Sequence, residues 1–221
     1  RDIKTYASPI EYWAAVGDEF LVDEPLHSRA IGLAQRFIRS EWEPEAENAP
    51  PGSLLAAVWG PTEGDFDFAC WCTPPHSLSV TGGSVEGLEA LLRLVRKRSG
   101  PPMGCYGPVE SIERIVALEG RGFEVEMELA LFRLDAVIRP ESAPAIEVVA
   151  ATEEHRALIL RWCHAFAVDT GLANEDGSLP SDAPAIESRE VYLVLGPGGE
   201  PVSMAAITRE TPSSANLSWV Y

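Results

Sequence analysis

The chain has 221 residues, 46% hydrophobic and 23% charged, enough apolar material for a sizeable core in one large domain or two small ones. Its 34 acidic against 17 basic residues leave a net charge of −17. Such a surface repels phosphate, which argues against nucleic acid and anionic membranes as partners. The field would favour cationic partners such as amines, although its plainest use is solubility.

Four cysteines, Cys70, Cys72, Cys105 and Cys163, are too few for a disulfide framework and point to a reducing, cytoplasmic setting. No stretch approaches a membrane span. The first residue is Arg1 and not Met, which leaves a removed leader open.

Ser8-Pro9 predicts a helix start, with a capping hydroxyl followed by proline at the first position. Ile10, Trp13, Ala14, Phe20 and Leu21 mark one face of that helix. Pro25 resets the chain, and Leu26, Ala30, Leu33, Ala34 and Phe37 line a second helix. A proline-rich, acidic loop follows between Glu41 and Gly52. Three short strands come next, over 53–59, 66–73 and 78–80. Ser84 then caps a helix with Glu86 and Glu89 early and Arg93, Arg96, Lys97 and Arg98 late, a polarity that suits the helix dipole. After Gly100-Pro101-Pro102, a short strand is expected near 103–106 and a helix after Gly107-Pro108. From Phe123 to Leu134 apolar residues alternate with Glu124, Glu126 and Glu128, the sharpest strand signal in the chain.

Residues 138–144 read as a linker between a first lobe, 1–137, and a second, 145–221. The second lobe opens with a strand at 146–149 and a helix begun by Thr152 that carries Leu158, Ile159, Trp162, Cys163 and Phe166. A polar stretch from 171 to 184 and a short helix over 185–189 follow. A hairpin of 191–195 and 201–208 turns at Gly196-Pro197-Gly198-Gly199, and a last strand runs over 217–221. The second lobe thus repeats the element order with which the first begins.

Gly199-Glu200-Pro201-Val202-Ser203-Met204-Ala205-Ala206, followed by Leu217-Ser218-Trp219-Val220-Tyr221, resembles the hairpin and splayed strand of the GNAT acetyltransferase superfamily. The resemblance is carried by residues 145–221, and over 1–137 it rests on element order alone. It implies an α+β fold of tandem GNAT-like lobes with mixed, mostly antiparallel sheets flanked by helices. It further implies an N-acetyltransferase moving an acetyl group from acetyl-CoA directly to an amine of a small molecule, with a non-catalytic GNAT-like binding or interaction module as the alternative. The family's Arg- and Gly-rich loop, which holds pyrophosphate at a helix N-terminus, would begin just after Tyr221, so the second lobe is expected to be truncated. The first lobe has Thr81-Gly82-Gly83-Ser84 at that position, without the arginine, and so resembles a degenerate copy.

By the same resemblance, the backbone of Val220 and Tyr221 would contact acetyl-CoA. Trp162, Phe166, Ser203 and Met204 would line the acceptor pocket, against a competing role for the aromatic pair in the core. Glu187, Glu190, Glu200 and Glu210 are available as acids, but none is singled out as a general base. His155 and His164 lie about half a turn apart around their helix and cannot act together. Cys70, Cys72 and His76 lack zinc spacing, so no metal is expected. Oligomeric state is not legible.

Overall fold

The computed structural model describes residues 1–62, 64–138, 141, 146–174, 176–180, 183–184 and 190–221. The chain divides into two compact units, Arg1–Leu131 and Phe132–Tyr221, a division N-terminal to the linker expected over 138–144. Both units are α+β.

The first unit opens on a short strand that sequence patterning misses, β1 (Asp2–Thr5). Helix α1 (Pro9–Leu21) starts as expected: Ser8 Oγ accepts from the Glu11 amide at 3.2 Å and Pro9 follows. Helix α2 (Glu24–Arg39) is capped by Asp23, which accepts from the Leu26 amide at 3.3 Å. Strands β2 (Leu54–Trp59), β3 (Phe66–Cys72) and β4 (Leu78–Val80) form an antiparallel meander. Helix α3 (Val85–Ser99), strand β5 (Cys105–Tyr106) and helix α4 (Val109–Glu119) complete the unit. The sheet order is β1-β2-β3-β4-β5, and β5 runs parallel to β4.

Alternation along β2 and β3 sends side chains to two cores. Leu55, Ala57, Ala69 and Trp71 pack under α1 and α2 with Tyr12, Val16, Phe20 and Ile31. Leu54, Ala56, Val58, Phe68 and Cys70 pack under α3 and α4 with Leu88, Leu91, Leu92, Val95 and Ile115. This explains the near-continuous apolar run of β2, which is buried on both faces.

The long strand expected over 123–134 does not form: the stretch joins neither sheet and its apolar side chains beyond Phe123 are exposed. Alternation states how a strand would divide its side chains between two faces. It says nothing of whether a sheet edge is at hand to take the backbone hydrogen bonds, and among the described residues none is used.

In the second unit, strand β6 (Glu147–Ala150) leads through a 3-10 turn at Glu153–His155 into helix α5 (Arg156–Asp169). Thr152 and His155 close a reciprocal cap there, the His155 Nδ1 accepting from the Thr152 amide at 3.1 Å. Strands β7 (Glu190–Leu195), β8 (Pro201–Glu210) and β9 (Ala215–Ser218) follow. The sheet is antiparallel throughout, in the order β6-β7-β8-β9. The turn between β7 and β8 needs Gly199, whose φ of 82° lies in the left-handed region. The short helix expected over 185–189 lies outside the described residues. The core sets Ile159, Cys163 and Ala167 of α5 against Val191, Leu193, Met204, Ala206 and Trp219.

The two sheets repeat one another in register. Thr5 pairs with Ala56 and Ala56 with Cys70; Ala150 pairs with Tyr192 and Tyr192 with Ala205. The Tyr6 amide donates to Leu55 O at 3.0 Å, and the Ala151 amide to Val191 O at 2.7 Å. Ser79 faces Trp71, and Ser218 faces Ala206. The duplication expected from element order therefore extends to individual backbone pairs.

Candidate functional site

The two sheets part company just beyond Ser79 and Ser218. In the first unit, Thr81 lies two residues past Ser79, and its amide bonds Ala69 O at 3.0 Å. Ala69 lies two residues before Trp71, so the ladder is regular. In the second unit the equivalent bonds are made by Tyr221, whose amide donates to Met204 O at 3.0 Å and whose carbonyl accepts from the Met204 amide at 2.8 Å. Two residues, Trp219 and Val220, lie between Ser218 and Tyr221, against the single Ala205 between Met204 and Ala206. The extra residue makes a β-bulge.

Trp219 occupies the bulge with φ 54°, a left-handed conformation that costs a non-glycine residue about 1–3 kcal/mol. Packing compensates. Its ring is buried at 4% exposure and its centroid lies 5.0 Å from that of Phe166 on α5, a ring pair that contributes about 0.5–1.5 kcal/mol beyond area burial. Among the described residues, the backbone groups of Trp219 and Val220 take no part in backbone hydrogen bonding. A left-handed residue and a broken ladder at one point are features that accumulate beside functional sites.

Around the bulge the site residues separate into two groups. Trp162, Phe166, Met204 and Tyr221 gather on the α5 side of the sheet. Trp162 and Tyr221 have ring centroids 6.4 Å apart, and Met204 is buried in the α5 core, with Trp162 and Phe166 half-buried against it. Ser203, adjacent to Met204 on β8, belongs to the opposite face, although its hydroxyl reaches the edge of the strand and donates to Tyr221 O at 2.7 Å. Val220 is exposed and outside the core. The Tyr221 backbone is thus already committed to β8, and the unbonded backbone lies at Trp219 and Val220.

The acids near this site are sparsely placed. Glu200 and Glu210 are exposed, and Glu200 folds back over its own turn, so that a Cβ at Gly196 would meet its Oε1 at 2.6 Å. Glu187 and the Glu190 side chain lie outside the described residues. His164 is exposed on α5, and His155 is engaged at the cap. Burial pushes the Cys163 thiol up to about 11, which suits a packing role and not a nucleophile. No group of His, Cys, Asp and Glu among the described residues is arranged to hold a metal ion.

The loop Thr81-Gly82-Gly83-Ser84 of the first unit has a different occupant. Ser84 caps α3, its Oγ accepting from the Gly87 amide at 3.1 Å. The Asp67 carboxylate of β3 lies over the same helix end, accepting from the Ser84 amide at 2.9 Å and from the Ser84 hydroxyl. Gly87 permits this approach, since a Cβ there would meet Asp67 Oδ2 at 2.5 Å. Arg1 lies 3.6 Å from the same oxygen, and Arg114 ties down the Gly83 carbonyl at 2.8 Å. The anion that a helix N-terminus attracts is here a side chain of the protein.

Sequence patterning missed both Trp219 and Asp67. A signal for the first was present: Leu78-Ser79-Val80-Thr81 and Leu217-Ser218-Trp219-Val220-Tyr221 differ by one inserted residue. Nothing in the sequence around Asp67 marks it. No helix of the described residues is long and apolar enough to cross a membrane. Comparison with protein-family models, curated proteins and solved structures finds no match.

Proposed function

We propose that the protein is a two-lobed, GNAT-like N-acyltransferase that takes acetyl-CoA as co-substrate and acetylates an amine, with the acceptor and thioester meeting beside β9 of the second unit. The observation that carries this reading is the bulge at Trp219. The pairings that the two sheets share diverge where the resemblance places the cofactor, and among the described residues the backbone donors and acceptors at Trp219 and Val220 are left open to an amide-rich ligand such as pantetheine. Trp162, Phe166 and Tyr221 would wall the acceptor side. The acidic surface would draw in a cationic amine, and a backbone-held water is the simplest proton acceptor where no acid among the described residues is positioned.

In this reading the first unit is the degenerate copy. Asp67 fills the helix end at which a phosphate would sit, and a second anion would meet both its charge and its bulk. Calorimetric titration of acetyl-CoA into the protein expressed from its complete reading frame tests the proposal: one binding event, weakened when Val220 is replaced by proline, supports it. No binding leaves the alternative, a GNAT-like binding module, which the closed helix end of the first unit favours.

A further inference from the structure

Residues 123–131 are the feature of the first unit that the proposed chemistry does not use. Val125, Met127, Leu129 and Leu131 are exposed, at 72%, 47%, 64% and 55%, and they share one side of the alternating pattern. Glu124, Glu126 and Glu128 share the other and are exposed as well. Phe123 anchors the start of the segment, half-buried beneath the Arg121 guanidinium 4.7 Å from its ring. The stretch has the composition of a half-buried strand, and among the described residues its backbone joins neither sheet.

We propose that residues 123–131 are a docking strand for an extended polypeptide segment in which basic and apolar residues alternate. Strand addition would bond backbone groups that no described residue pairs with in a sheet and set apolar side chains beside Val125, Met127 and Leu129. Directly opposed charges on adjacent strands attract or repel measurably, so the glutamate row selects lysine or arginine on the incoming strand. A second copy of this chain fits less well. Antiparallel self-pairing about Met127 sets Glu126 against Glu128, and each copy brings a further net charge of −17.

The test uses the full chain and a short fluorescent peptide alternating lysine and valine, with a glutamate–valine peptide as its counterpart. The lysine peptide is expected to bind about tenfold or more tightly than its counterpart, with affinity falling as salt rises. The triple variant Glu124→Lys, Glu126→Lys, Glu128→Lys should reverse the preference. Binding should protect the amides of 123–131 from hydrogen exchange. Met127→Pro keeps every charge but deletes a ladder donor, so it should abolish binding while circular dichroism stays unchanged. Equal binding of the two peptides, unaltered binding to Met127→Pro, or protection arising elsewhere would overturn the proposal. So would a peptide-free dimer in sedimentation whose protected amides are those of 123–131.

Discussion

The Asp67 carboxylate of β3 accepts a 2.9 Å hydrogen bond from the backbone amide of Ser84, across the end of the helix that Ser84 itself caps. A helix end leaves amides unsatisfied and partly positive, and here one residue supplies the charge and the other the cap. Asp67→Ala should therefore cost about 1–3 kcal/mol, the usual range when an acceptor is withdrawn from partly buried donors, and Ser84→Ala about 1 kcal/mol. The two losses should not add, because the Asp67 carboxylate is held partly by the Ser84 hydroxyl. Urea denaturation of the single and double variants measures this, and strict additivity would mean that the two residues act independently.

Trp219 gives a test of backbone strain. Replacing a buried tryptophan with alanine costs about 3–5 kcal/mol. Glycine is ordinarily the worse substitute, yet at φ 54° it escapes the left-handed penalty. Trp219→Gly should therefore be less destabilising than Trp219→Ala by about 1 kcal/mol, as read from the unfolding of the second unit. The opposite order would place Trp219 in ordinary extended backbone.

The Tyr12 hydroxyl is fully buried and has no hydrogen-bond partner among the described residues, and burial holds its pKa well above the ordinary tyrosine value. A donor left unmade in this way costs about 1–3 kcal/mol. Tyr12→Phe keeps the ring against Phe20 and deletes the orphan, so it should stabilise the protein by about 1 kcal/mol. A loss of stability would instead reveal a buried water bound to that hydroxyl.

Cys163 sets a pH dependence. Burial raises its thiol from 9.0 to about 11, so the unfolded chain gives up this proton first as pH rises. Its contribution to stability is intact below about 9 and is lost between about 9 and 11. Cys105, also pushed up to about 11, acts in the same direction. Stability measured by urea denaturation should fall across that window, and the fall should be shallower in Cys163→Ala. A thiol reagent at pH 8 should modify Cys163 only as the protein unfolds.

Local chemistry made much of the fold legible. Ser8-Pro9 and Ser84 set helix starts through caps that need only neighbouring residues, and the apolar run of 53–59 marked a strand, which the structure buries on both faces. The element order of the second unit announced its likeness to the first, because each unit must bury the same helix side against the same sheet face. Three features needed the tertiary structure. The alternating segment 123–134 satisfies every local requirement of a strand, yet a strand exists only where an edge accepts it, and that is a long-range fact. The bulge at Trp219 depends on counting residues between hydrogen bonds to another strand, which no single segment records. Asp67 meets Ser84 across 17 positions of sequence, so the closure of that helix end follows from the way β3 and α3 are brought together.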